Sequence, residues 1–150
     1  MPEKLISTNR KARHEYNILE TFEAGIVLKG TEVKSLREGK ANLNDGYATV
    51  EKNEIFLQNA HISPYDKGNR WNLPERRPRK LLLHSREIKR LIGGVTRKGY
   101  TIIPLRMYFN ENGIAKLEIA LAKGKKTYDK RENIKQRDLD RQIKREYKLR

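Results

Sequence analysis

The chain contains no cysteine, which excludes disulfides, thiolate metal sites and a cysteine nucleophile, and fits a reducing compartment. No apolar run approaches the roughly 20 residues that a membrane-spanning helix needs. The N-terminal stretch "MPEKLISTNRKARHE" lacks the apolar core of a secretory signal. Acidic residues are in short supply: 19 Asp and Glu stand against 34 Lys and Arg, a formal charge of +15. Such a chain repels itself and attracts polyanions, nucleic acid first among them. Anionic lipid is a poorer fit, because the basic C-terminal stretch has no broad Trp/Phe/Leu face. The expectation is a soluble, cytoplasmic protein without a membrane partner. At 150 residues it has room for one ordinary core and a terminal extension.

What is present is mostly strand. From Tyr16 the even positions Tyr16, Ile18, Phe22, Ala24, Ile26 and Leu28 are apolar, a period of two. "GTEVKSLREGK" then changes period and predicts a short helix, with Thr31 as its cap and Gly39 as its stop. "YATVEKNEIFLQN" predicts a hairpin turning at Lys52-Asn53. Residues 63–80 hold three of the five prolines and no sustained period, which predicts a long surface loop. "HSREIKRLIGG" predicts a second short helix, capped by Ser85 and stopped at Gly93-Gly94. Thr101, Ile103, Leu105, Met107 and Phe109 alternate up to "NENG", and Ala115, Leu117, Ile119 and Leu121 alternate after it, which is the clearest hairpin in the chain. Five or six strands and two small helices predict a mainly β fold, an antiparallel barrel over residues 1–122, since closure removes exposed edges. Residues 123–150 form a basic tail whose composition predicts disorder when free.

Catalytic and metal chemistry finds no footing. His14, His61 and His84 are scattered, and "HEYNI" lacks the second His of a zinc helix. "AKGKKT" resembles the end of a phosphate loop, but Ile119 stands where the first Gly is required. Glu20 and Glu23 fall on opposite strand faces, and Asp138 and Asp140 on different sides of a helix. No enzyme, metal or cofactor is expected.

The basic segments are the features to explain. "RRPRK", with Arg76, Arg77, Arg79 and Lys80, is open to two readings, an RNA contact or a solvated loop. "AKGKK" leaves a strand, so Lys123, Lys125 and Lys126 project from a fixed edge while Gly124 allows close approach. As a helix, the tail would stack Arg137, Arg141 and Arg145 at intervals of four, with Leu139, Ile143 and Tyr147 on a separate stripe. RNA that neutralised those cations would favour folding.

"NRKARHEY", "FEAGIVLKGTEVKSLREGKANL", "RKLLLHSREI", "KGYTIIPLRMYF" and "ALAKGKKTYDKRE" together closely resemble the bacterial SmpB family, the SsrA-binding or tmRNA-binding proteins. The resemblance runs from about Asn9 to about Ile134. It implies an oligonucleotide-binding (OB-type) barrel that holds the tRNA-like domain of tmRNA and delivers it to ribosomes stalled without a codon in the A site, for peptide tagging and release. It implies as partners the small-subunit RNA and, indirectly, elongation factor Tu with alanyl-tmRNA. Carried over residue by residue, the RNA-facing set is Asn9, Tyr16, Glu23, Lys34, Arg37, Lys116, Lys123, Gly124, Lys125 and Lys126. The set facing the decoding centre and the message channel is Tyr128, Asp129, Lys130 and Arg131, with Arg137, Arg141, Ile143 and Arg145 in a tail that becomes helical on the ribosome. A ribosomal protein or initiation-type factor binding ribosomal RNA alone is the competing reading of the same charge.

Overall fold

A computed structural model describes residues 2–65 and 74–125 of the chain. Its elements, in chain order, are strand β1 (Lys4–Thr8), helix α1 (Ala12–Glu15), β2 (Tyr16–Ile26), α2 (Gly30–Arg37), β3 (Ala41–Asn42), β4 (Tyr47–Glu51), β5 (Glu54–Gln58), β6 (His61–Ile62), β7 (Arg79–Leu82), α3 (Ser85–Lys98), β8 (Thr101–Phe109) and β9 (Ala115–Gly124). The fold is mainly β: a seven-stranded antiparallel sheet in the order β1-β8-β4-β5-β7-β2-β9, with β9 also paired to β8, and a two-stranded β3-β6 ribbon. The strands outnumber those expected because β1, β3, β6 and β7 are short or sit in stretches without a clear period.

The β4–β5 hairpin turns at Lys52-Asn53 as expected. Both residues take positive φ, 48° and 63°, which is the type I′ geometry whose twist matches the flanking strands. Helix α2 begins two residues earlier than the Thr31 cap would place it. Lys29 is the N-cap, its N–H donating to Glu32 Oε1 at 3.0 Å, and Gly39 ends the turn at φ +74°. Helix α3 departs further from expectation. His84, not Ser85, is its N-cap, with the His84 N–H on Glu87 Oε1 at 3.1 Å. The helix also runs through Gly93-Gly94 and stops at Gly99, φ +67°, where the Tyr100 N–H donates to Gly94 O at 3.0 Å. Gly94 is needed for packing rather than for stopping: a Cβ there would lie 2.6 Å from Leu121 Cδ2.

Two β-bulges change which side chains share a face. The register of β2 on β9 shifts between Ile18 and Glu20, and that of β8 on β9 shifts between Pro104 and Arg106. An extra residue inverts the alternation beyond it. Phe22, Ala24, Ile26, Met107 and Phe109 therefore face the main core with Leu36, Leu57, Leu91 and Leu117. Ile103, Leu105, Ala120 and Ala122 face outward, beneath Ala12 of α1, with Tyr16 and Ile18 packed against them. The single alternating faces read from the sequence over Tyr16 to Leu28 and Thr101 to Phe109 are corrected accordingly. Strand β9 carries on to Gly124.

Candidate nucleic-acid interface

Two cations of "RRPRK", Arg77 and Arg79, turn inward, while Arg76 and Lys80 stay exposed. Strand β7 alternates, with Arg79 and Leu81 inward and Lys80 and Leu82 outward. Arg79 is 1% exposed. Its Nε donates to Glu32 Oε2 at 2.7 Å, Nη1 to Ala60 O at 2.9 Å and Nη2 to Glu75 O at 3.1 Å. Arg77 reaches the same carboxylate, Nε to Glu32 Oε2 at 3.2 Å and Nη2 to Oε1. Burial pushes the Glu32 carboxyl up, but the hydrogen bonds from Arg77, the Lys29 N–H and Arg79 outweigh it and hold the group below its ordinary value. Lys80 pairs with Glu54 at 3.1 Å and Arg76 with Asp45 at 3.6 Å. The cluster ties α2 to β7 and the segment after β5.

With α2 anchored in this way, Lys34 and Arg37 stand exposed on its other side. Lys34 Nζ lies 5.6 Å from the centroid of the Tyr65 ring, and the Arg37 carbonyl accepts from Lys4 Nζ at 2.9 Å.

The remaining expected residues fall into two groups on the outer face of β2, β9 and β8. At the α1 end, Tyr16 pairs in register with Gly124 and Asn17 with Lys123. The Lys125 N–H donates to Glu15 O at 2.8 Å and its Nζ to Arg13 O at 3.0 Å, closing the carbonyl end of α1. Asn9 is 8% exposed; its N–H donates to Leu105 O at 2.8 Å and its Nδ2 to Pro104 O at 2.9 Å. Asn9 thereby clamps the β1–α1 link to the bulge of β8, and its donors are directed into the fold. Beside it is a cavity of about 270 Å³ lined by Lys11, Tyr16, Asn44, Tyr47 and Thr101 among others. Asn9 itself and Tyr16 are the lining residues that belong to the expected RNA-facing set; Asn44 and Tyr47 come from a different strand connection.

Seven residues farther along β2, about 23 Å at the strand rise, Glu23 lies opposite Glu118 and Gly25 opposite Lys116. Here the outer face is polar. Tyr108 donates its hydroxyl to Glu23 Oε2. Arg106 Nε donates to Glu118 Oε2 at 3.1 Å, Arg106 Nη1 lies 3.7 Å from Glu3 Oε2, and the guanidinium carbon is 4.2 Å from the centre of the Tyr108 ring. Burial and the hydrogen bond to the Glu23 carboxylate raise the Tyr108 phenol well above its ordinary value. Arg106 is lowered by burial but raised more by Glu118, and remains charged. The sequence did not single out Arg106, Tyr108 or Glu118. Only the register beyond the β8 bulge brings them together. Lys126, Tyr128, Asp129, Lys130, Arg131, Arg137, Arg141, Ile143 and Arg145 lie outside the described residues.

Among the described residues no group of three or more His, Cys, Asp or Glu is placed to hold a metal ion, and no helix is long and apolar enough to cross a membrane. An antiparallel β frame carrying exposed cations, aromatic rings and hydrogen-bonding side chains on one face is the makeup of a nucleic-acid-binding protein. Comparison with known proteins gives the particular family. The family model "SmpB protein" matches residues 6–149, and the chain belongs to the SmpB family. An SsrA-binding protein of Desulforudis audaxviator is 61% identical over 142 residues, 95% of this chain and 92% of the relative. The SsrA-binding protein of Pelotomaculum thermopropionicum is 57% identical over 150 residues, 100% of this chain and 97% of the relative. A solved chain described as "tmRNA-SmpB: a journey to the center of the bacterial ribosome" is 53% identical, with a TM-score of 0.69 over 85% of this chain and 92% of that one.

Proposed function

We propose that this protein is the tmRNA-binding adaptor of trans-translation: it binds the tRNA-like domain of tmRNA and delivers it to stalled ribosomes for peptide tagging and ribosome rescue. The observation that carries this reading is the family match over residues 6–149. Relatives named SsrA-binding protein, and the likeness to a chain whose description joins tmRNA, SmpB and the ribosome, agree with it. The role is one of binding rather than turnover, carried out in the cytoplasm where ribosomes stall.

In this reading residues 1–122 form an OB-type barrel, a view supported by the pairing that returns β9 to β8 after β4, β5, β7 and β2. RNA lies across the outer face. Lys34, Arg37, Lys116 and Lys123 meet phosphate, Lys126 extends the same basic edge, and Gly124 lets the backbone come close. Glu23 accepts from base or ribose donors, which a lysine cannot do. Asn9 and Lys125 act by holding α1 and Tyr16 in place. Residues 123–150 engage the ribosome: Tyr128, Asp129, Lys130 and Arg131 at the decoding centre, and Arg137, Arg141, Ile143 and Arg145 in the message channel when no message fills it. Elongation factor Tu is met only through the alanyl-tmRNA it carries.

Stopping the chain after Lys130 separates the two parts. It removes the eight Lys and Arg beyond Lys130 and leaves every described strand intact. The truncated protein is expected to unfold at nearly the same temperature and bind isolated tmRNA with little loss, yet fail to tag a protein made from a message without a stop codon. Normal tagging by the truncated protein would reduce the tail to an aid to solubility. A large fall in tmRNA affinity would mean that RNA binding is not confined to the barrel.

A further inference from the structure

Glu23 is an exposed carboxylate on a chain of charge +15, and in the function proposed above it faces RNA. A free glutamate would sample several rotamers, and with so many cations nearby it would tend to be neutralised by one of them. Its surroundings prevent both. Glu118, directly opposite in register, and Glu3 hold Arg106 at 3.1 and 3.7 Å, so that the guanidinium lies over the Tyr108 ring rather than on Glu23. Among the described residues no cation is ion-paired to Glu23. Tyr108, 2% exposed and fixed between Leu5 and Lys116 in the register of β1, β8 and β9, points its hydroxyl at one carboxylate oxygen. Among the described residues no hydrogen bond reaches the other oxygen.

We infer that Tyr108 is a positioning residue for RNA recognition: its buried hydroxyl fixes the exposed Glu23 carboxylate as a charged acceptor aimed at a hydrogen-bond donor of the RNA, and Arg106 is held aside by Glu118 and Glu3 so that the acceptor stays unneutralised. A base amino or imino group and a ribose 2′-hydroxyl share this donor chemistry. The inference rests on the proposed function and deepens it by adding a residue that touches no RNA.

The test measures binding of the tRNA-like domain of tmRNA to the full chain and to Tyr108→Phe, Glu23→Ala and the double variant. Tyr108→Phe keeps the ring in place and should lower the unfolding temperature by only a few degrees, about 2–6 °C, from the lost hydrogen bond. It should weaken binding about three- to tenfold, the cost of ordering one side chain on association. The salt slope should not change, because every lysine and arginine that meets phosphate is untouched. The double variant should bind no worse than Glu23→Ala, since the hydroxyl acts only through that carboxylate. If Tyr108→Phe does not fold, Glu23→Asp serves instead. It keeps the charge but withdraws the carboxylate from the hydroxyl by one methylene, and the same loss is expected. Single 2′-deoxy substitutions in the RNA assign the donor: one that weakens the unaltered protein but not Glu23→Ala places it on a ribose, and none places it on a base. Wild-type affinity in Tyr108→Phe, or in Glu23→Asp where that variant is needed, would overturn the positioning role, as would losses that multiply in the double variant. Failure of the unaltered chain to bind the RNA would instead overturn the function on which the inference rests.

Discussion

Glu32→Gln should be among the most damaging single changes available in this fold. Gln has nearly the same shape, so no cavity opens, but the charge that two guanidiniums share is gone. The Arg79 side chain is 1% exposed and that of Glu32 6%, whereas Arg77 at 21% can recover solvent. Breaking a buried pair costs about 3–5 kcal/mol, most of it the orphaned charge. Arg79 keeps its bonds to the Ala60 and Glu75 carbonyls, which places the cost near the lower end, about 3 kcal/mol. For a domain of this size that is a fall of about 6–12 °C in Tm. Thermal unfolding followed by circular dichroism at pH 7 is the assay. The pH dependence gives a second reading. The Glu32 carboxyl is depressed in the folded state, so its contribution is fully present above the ordinary value of 4.5 and is lost as pH falls through the depressed one. The difference between Glu32→Gln and the unaltered protein should therefore shrink as the pH is taken down through that window. A fall of less than about 3 °C at pH 7, or a difference that grows with acid, would refute the reasoning.

Other expected outcomes follow from the same geometry. Gly94→Ala drives a methyl group into Leu121 and should cost about 1–3 kcal/mol. Gly93→Ala, with nothing within 4 Å of the added carbon, should gain up to about 1 kcal/mol from helix propensity; denaturant unfolding of the pair checks both. Charge reversal at Lys34 and Arg37 should weaken tmRNA binding and lower the logarithmic salt slope by about 0.7 to 0.9 for each phosphate that is no longer neutralised. An unchanged slope would put α2 off the interface.

The parts of this fold legible in the sequence are those governed by local rules. The Lys52-Asn53 hairpin and the long β8–β9 hairpin could be seen because turn chemistry and a period of two are written within a few residues. The bulges after Ile18 and Pro104 could not, because an extra residue in one strand is defined only against its partner. They decide that Tyr16 and Ile103 face outward while Phe22 and Met107 face in. Gly93-Gly94 looked like a helix stop because glycine is a poor helix former. The cost is accepted at Gly94 since only a missing side chain lets α3 meet Leu121. Arg79 looked like a surface cation because its carboxylate partner lies 47 positions away. Of the candidate site, Glu23, Lys34 and Arg37 came from the family resemblance, and spacing alone would have left Glu23 as a surface acid. Its support by Tyr108 depends on a register that only the folded sheet supplies.

The central claim is the identity of the RNA. The full chain, captured from its own cells under mild salt, should bring down one abundant RNA with a tRNA-like end and a short open reading frame. Sequencing of the captured RNA should show tmRNA enriched far above its share of the total, and charge reversal at Lys34 and Arg37 should diminish that enrichment. Recovery of ribosomal RNA alone, with tmRNA no more abundant than in the input, would contradict the account.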